Sequence, residues 1–267
     1  MFCPSAVRRR MTGERSWAGW QSGHAAACKA VYAGSIPTPA SKAPSMTNRP
    51  PIDIAFVSDV ACPWCAIGFS ALERALERIG ADLGAVELYM QPFELNPAMP
   101  AEGVDAVEYM TTKYGMSEQQ LGINRARIAE RGAAEGFTFG TRARIWNTFD
   151  AHRLLFFAGA EGPAGSQRAL KRALLAAYHA EGRNPGARDV LLEIAGQVGL
   201  PVERARQVLD GGEYADHVRQ AEQFWQQAGI HSVPAVIVER RHLISGGQPS
   251  AVFEQALREI AAHSTPA

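Results

Sequence analysis

Cysteine is scarce: the 267 residues hold four, of which Cys3 and Cys28 stand apart and Cys62 and Cys65 form one C-x-x-C. So low a count argues against a disulfide-stapled secreted scaffold. A single pair, with no second pair and no closely spaced histidines, argues against a zinc ribbon, so no metal site is expected. Net charge is missing too, with 27 basic against 27 acidic residues, and the opening segment has no apolar run of the kind a secretory signal or membrane anchor requires. Six of the bases and one of the acids fall within residues 1–45, which leaves 21 bases against 26 acids for the rest. A mildly acidic body gives no case for binding nucleic acid or a membrane surface.

Residues 1–45 show no sustained helical or strand period and carry Arg8-Arg9-Arg10, Pro37, Pro39 and Pro44. Residues 1–48 are therefore expected to be a non-domain extension, either disordered or the product of a misassigned start. An Arg-rich, acid-poor transit peptide is the weaker alternative. Gly19 to Ser41 reads as a transfer-RNA gene in translation. Gly34-Ser35-Ile36-Pro37 is what the T-arm sequence GGTTCGATTCC encodes in one frame, and Ala26-Ala27-Cys28-Lys29-Ala30-Val31 can be spelled as an anticodon stem around the loop CTGCAAA. On this hypothesis the natural protein begins at or near Met46, and a nucleotide sequence without a cloverleaf would dismiss it.

What is present starts at Ile52-Asp53-Ile54-Ala55-Phe56-Val57-Ser58, an alternating apolar run that predicts a buried strand. Helical spacing follows at Ile67, Leu72, Ala75, Leu76 and Ile79. Cys62 and Cys65 thus sit where a strand hands over to a helix, with Pro63 suited to the first helical turn. Unpaired amides and the positive end of the helix dipole there favour a Cys62 thiolate, the attacking species in disulfide exchange. Cys65, one turn on, shares a helical face with Cys62 and can resolve a mixed disulfide.

Val86 to Phe93 alternates again and predicts a second strand, completing a βαβ unit with the cysteines at the carboxyl end of its first strand. From about Val104 to Gly211 the pattern is helical: Val104 to Gly115, Ser117 to Gly132, Asn147 to Ala160, Gln167 to Glu181, Ala187 to Val198 and Leu200 to Leu209. Five or more helices with no strand among them predict an inserted helical subdomain. Ala215 to Ala228 is amphipathic. An apolar strand through Glu239 with Pro234 directly before it, a turn at Arg240-Arg241-His242, a short strand Leu243-Ile244-Ser245 and a helix from Pro249 to Ala262 close the chain. The expected organisation is α/β, a thioredoxin-like βαβ…ββα fold with a large all-helical insertion: 49–100 as its first part, 101–212 as the insertion and 213–263 as its second part.

Cys62-Pro63-Trp64-Cys65, Val233-Pro234 before the late hairpin and the helical insertion between them resemble the DsbA family of the thioredoxin superfamily. Pro92-Phe93-Glu94-Leu95-Asn96-Pro97, Lys113-Tyr114-Gly115, Asn147 to Leu154 and Ile244 to Pro249 are similar to its FrnE-like branch. The resemblance spans Ile52 to Ile260, departing from the family's usual Gly-Val-Pro at Ser232. It implies a thiol-disulfide oxidoreductase in which Cys62 is the nucleophile, Cys65 resolves, and Pro63 and Trp64 set the potential. A cis Val233-Pro234 bond would present Val233 to a bound peptide. Asp59 is a candidate proton acceptor for Cys65, with bonding to the backbone near the helix start as the equal alternative. Asn147 or His152 would line a substrate cleft; the competing reading has Asn147 capping its helix and His152 satisfied and half-buried.

Implied partners are protein or small-molecule thiols and disulfides, with a homodimer left open. No cofactor is tightly bound beyond the redox-active Cys62–Cys65 disulfide, glutathione is a candidate co-substrate, and the address is cytoplasmic. Two other readings stand beside this one: a glutathione-dependent isomerase resembling 2-hydroxychromene-2-carboxylate isomerase, which would not need Cys65, and a peptide-binding chaperone on the same scaffold.

Overall fold

The structure, a computed structural model, describes residues 51–263 and, of the leading segment, the backbone of Lys29–Ala30. Those two residues form strand β1 (Lys29–Ala30). Otherwise the expectations for residues 1–48 fall outside the described residues.

Strand β2 (Ile52–Ser58) is buried along its whole length, as an alternating strand must be when both faces are covered. Ile52, Ile54 and Phe56 enter one apolar cluster, and Ala55 and Val57 enter the other. Strand β3 (Val86–Pro92) runs parallel to it, pairing Ile52 with Val86 and Ser58 with Pro92. Helix α1 (Pro63–Ile79) makes the crossover between them and ends at Gly80. Strand β6 (Ala235–Val238) lies antiparallel on the other side of β2, and β7 (His242–Ser245) pairs antiparallel with β6 through a turn in which Glu239 and Arg240 both have positive φ. With β1 parallel to β7, the sheet order is β1-β7-β6-β2-β3.

Between β3 and β6 lie α2 (Ala106–Tyr114), α3 (Glu118–Ala134), α4 (Phe149–Ala160), α5 (Ser166–His179), α6 (Arg188–Gln197), α7 (Val202–Gly211) and α8 (Ala215–Gln227). Helix α9 (Ser250–His263) packs on α1. An unbroken helical run does not describe this region. Strand β4 (Val104–Asp105) pairs with β5 (Arg144–Ile145), which moves the expected helix start from Val104 to Ala106. The cause is local: Asp105 is extended and its carboxylate accepts from the Val107 and Glu108 amides at 2.9 Å each, an N-cap that fixes the first turn after it. Gly103, with φ +65°, fits there because a β-carbon would stand 2.6 Å from the Ile145 carbonyl oxygen.

Leu154 and Phe157 of α4, Leu170, Leu174 and Tyr178 of α5, Leu191 of α6 and Val208 of α7 join the same apolar cluster as Phe56, Phe69, Leu72 and Phe253. Each such side chain contributes about 1.5–3 kcal/mol by burial. This core runs without a break past the boundaries expected at 100/101 and 212/213. On the opposite face, Trp225 of α8 covers Ala55, Val57 and Ile237. Helix α5 is further tied to α1, where the Glu73 carboxylate accepts from Arg168 Nε at 2.6 Å and Arg172 Nε at 3.0 Å. Helix α5 therefore packs against α1, the helix that carries the C-x-x-C.

Candidate active site: a buried dithiol

Cys62 occupies the N-cap of α1 in an extended conformation, and Pro63 takes the first helical position, where its missing N–H leaves no bond unmade. Both cysteines are free thiols; Cys62 is 4% exposed and Cys65 not at all. A hydrogen bond from the Cys65 thiol holds Cys62 below the ordinary thiol range, and the Cys65 and Trp64 amides assist against burial and the nearby Asp59 charge. Burial pushes Cys65 well above that range, and the charge on Cys62 pushes it further. One acidic thiol backed by one reluctant thiol is the polarity that ordered disulfide exchange needs.

The Val233–Pro234 bond is cis, and the Val233 carbonyl accepts from Cys62 Sγ at 3.7 Å. Pro234 packs on α1 because position 68 has no side chain: a β-carbon on Gly68 would meet Pro234 Cγ at 2.9 Å and Gly247 Cα at 3.3 Å. Gly247 in turn faces the Trp64 carbonyl, 2.9 Å from where its own β-carbon would lie. Gly68→Ala is expected to cost about 1–3 kcal/mol by overpacking and to slow thiol exchange, since Pro234 must move beside the Cys62 sulfur. Thermal unfolding and an exchange assay check this, and two unchanged values would contradict it. Trp64 is half-buried, with the Arg127 guanidinium 5.8 Å from its ring.

Asp59, 1% exposed, is a hub. Its Oδ1 accepts from the Ala61 amide at 3.0 Å and Thr148 Oγ1 at 2.8 Å, and its Oδ2 from the Leu95 amide at 2.8 Å. His152 Nε2 lies 3.5 Å from Oδ1 but makes no hydrogen bond among the described residues. Burial alone would raise the Asp59 carboxyl, but the adjacent His152 and the two amides outweigh it and hold the group below the usual carboxylate range. Backbone bonding, one of the two roles expected for Asp59, is thus present.

Asn147 is half-buried and His152 buried. Asn147 spends its amide on the backbone just before the Thr148 N-cap of α4, donating to the Met99 carbonyl and accepting from the Phe149 amide at 2.9 Å each. His152 is 2% exposed and turned toward Asp59. The reason is packing: α4 lies against the sheet, so the side of the helix carrying His152 faces inward.

Four groups that sequence reasoning missed complete the buried side. Thr148 holds Asp59, as above. His179 Nε2 is 2.8 Å from the Val60 carbonyl, and Arg142 NH1 is 3.4 Å from His179 Nδ1 and 3.0 Å from the Ala61 carbonyl. The Val60 carbonyl can only accept and Arg142 can only donate, so His179 is the neutral Nε2–H tautomer. Burial, with the Arg142 charge second, pushes its pKa down to about 3, which keeps it neutral through the physiological range. The fourth is Lys171, fully buried on α5. A usable signal was Lys171's place on the stripe Gln167, Leu170, Leu174, Tyr178, which is the inward face of α5.

Comparison with known proteins bears on this arrangement. A family model described as a DSBA-like thioredoxin domain matches residues 53–258. The chain is 29% identical over 221 residues to the uncharacterized protein YwbO of Bacillus subtilis, covering 78% of this chain and 96% of YwbO. A probable DsbA oxidoreductase from Streptomyces coelicolor is similar in structure, with a TM-score of 0.74 and 35% identity over 81% of this chain and 92% of that one. The cytosolic disulfide reductase DsbM of Pseudomonas aeruginosa, solved with GSH, shares the fold at a TM-score of 0.54 and 20% identity, over 79% of this chain and 97% of DsbM. A 2-hydroxychromene-2-carboxylate isomerase does so at 0.58 and 15%, over 80% and 100%. Among the described residues no helix is long and apolar enough to cross a membrane.

Proposed function

The chain belongs to the family of DSBA-like thioredoxin domains, and on that premise we propose that it is a thiol-disulfide oxidoreductase cycling through Cys62-Pro63-Trp64-Cys65 on protein or small-molecule substrates. The observation that carries this reading is the geometry of the pair: two free thiols one helical turn apart, Cys62 at the N-cap of α1 with its Sγ 3.7 Å from the Val233 carbonyl and Cys65 wholly enclosed behind it. In the reducing direction the Cys62 thiolate attacks R–S–S–R′, forming Cys62–S–S–R and releasing R′S⁻. Cys65 then attacks the Cys62 sulfur and releases R–S⁻, leaving the Cys62–Cys65 disulfide. Trp64 and the Val233–Pro234 segment border the sulfur where substrate arrives.

Glutathione is the proposed co-substrate that returns the pair to the dithiol, in a reducing cytoplasm where such cycling pairs operate. The similarity to a reductase solved with GSH supports that choice. The experiment is a redox titration of the protein in glutathione buffers, followed by the fluorescence of Trp64, which flanks the pair. The expected result is a reversible two-electron transition that disappears in Cys65→Ser. An isomerase that binds glutathione without exchanging disulfides, or a chaperone indifferent to the cysteines, would give no transition in the unaltered protein.

A further inference from the structure

Lys171 is fully buried, and its Nζ has no hydrogen-bond partner among the described residues. An ammonium carried into an apolar core without a partner costs several kcal/mol, so such a group either sheds its proton or answers to a negative charge nearby. The anchors of α5 say where it points. Gln167, one turn earlier, is bonded to Met90 of β3, its Oε1 accepting from the Met90 amide at 3.0 Å. His179, two turns later, meets the Val60 carbonyl at 2.8 Å. Arg168 and Arg172, on the adjoining face, hold Glu73 of α1. Lys171 lies on the strip between these anchors, on the side of α5 that packs toward β3, the Val60 loop and α1. Cys65 of α1 is as fully enclosed as Lys171, and the two act on each other electrostatically.

We propose that Lys171 is a positioning residue for the resolving step, a buried cation that stabilises the Cys65 thiolate as it attacks the Cys62 sulfur. The proposal rests on the dithiol reading above. The groups that interact with Lys171 are Cys65, Asp59 and Cys62, and His179 from α5 itself, with His152 beside Asp59 and Arg142 beside His179. His179 is neutral, and Arg142 is already committed to the Ala61 carbonyl and His179. Burial lowers the Lys171 pKa, while Cys65, Asp59 and Cys62 pull it back up, in that order of effect.

The state of Cys62 decides when this charge counts. In the free dithiol, burial of Cys65 and the bond and charge of Cys62 all oppose a second ionisation, with Lys171 working against them. Once Cys62 is bonded to a substrate sulfur it carries no charge, and Lys171 is left opposing burial alone. Cys65–SH then gives up its proton and its sulfur bonds to Cys62 Sγ. The bond between Cys62 Sγ and the substrate sulfur breaks with its electron pair on that sulfur, which takes up the proton. The balance is Cys65–SH + Cys62–S–S–R → Cys62–S–S–Cys65 + R–SH, and no further oxidant or reductant enters.

The test uses Cys62→Ala, in which Cys65 stands as it does when Cys62 is uncharged, and follows the ultraviolet absorbance of the Cys65 thiolate against pH. Adding Lys171→Met, an apolar side chain of similar length, is expected to raise the Cys65 midpoint by about one pH unit, a roughly tenfold loss of thiolate at fixed pH. Lys171→Arg, which keeps the charge, is expected to restore most of it. With both cysteines present, Lys171→Met is expected to slow glutathione release from a Cys62–glutathione adduct about tenfold, while the first alkylation of Cys62 changes less than about threefold. A Cys65 midpoint unmoved by Lys171→Met, or a release rate unchanged, overturns the proposal. Failure of the dithiol reading would show separately, as no redox transition in the unaltered protein.

Discussion

Cys62→Ser is expected to lower disulfide exchange by on the order of 10³-fold or more, whereas Cys65→Ser is expected to stop the cycle one step later with substrate still attached. The two losses differ because the two sulfurs differ. Cys62 is the acidic thiol and borders Val233 and Trp64, so its removal takes away the attacking atom. Cys65 is wholly enclosed, and its thiol is held well above the ordinary range by burial and by Cys62, so it acts only on a sulfur already bonded to Cys62. Mass spectrometry after mixing with oxidised glutathione separates the cases: Cys65→Ser should carry one glutathione, Cys62→Ser none. An adduct on Cys65 in the Cys62→Ser protein would reverse the assignment of roles.

The second large effect is expected at Asp59, in stability. Asp59→Asn keeps the shape but replaces one acceptor oxygen with a donor, so it must face either the Leu95 amide or the Ala61 amide and Thr148 hydroxyl with the wrong group. Bonds to a buried charged acceptor are worth about 1.5–3 kcal/mol each, and a loss of roughly 3 kcal/mol is expected. In a chain of this size that lowers the melting temperature by roughly 10 °C. The pH dependence carries a sign. Asp59 has a lower pKa folded than unfolded, so its stabilisation is present above the unfolded carboxyl value and is lost as pH falls through the folded one. The difference between the two proteins should therefore be largest near neutral pH and shrink below about pH 4. A difference that stays constant down to strong acid would show that Asp59 is not ionised in the native state.

The core strand, the crossover helix and the cysteine pair were legible in the sequence because each is coded locally: alternation in Ile52 to Ser58, proline in the first turn, thiols one turn apart. Asp59 was found because it stands three residues before Cys62. The two-residue ladder between Val104–Asp105 and Arg144–Ile145 was not, since a pair that short has no periodicity to read. Thr148, His179, Arg142 and Lys171 escaped for another reason. They lie far along the chain in helices or loops of ordinary composition, and only folding brings the first three to the loop from Asp59 to Ala61 and buries Lys171. Lys171, with Arg168 and Arg172 beside it, reads as one more base on a solvated face, although the register of Leu170, Leu174 and Tyr178 puts it inside. His152 was left between a cleft-lining role and a half-buried one, because spacing alone does not tell which face of α4 meets the sheet; it is 2% exposed.

The loop leading into Cys62 is gripped from behind by side chains of the inserted region: Thr148 on Asp59, His179 on the Val60 carbonyl and Arg142 on the Ala61 carbonyl. Two proteins of this fold can therefore share the same Pro-Trp dipeptide and still hold the loop before it differently, through side chains of the insertion. Ranking such proteins as reductants or oxidants by the two residues between their cysteines would overlook these contacts from behind.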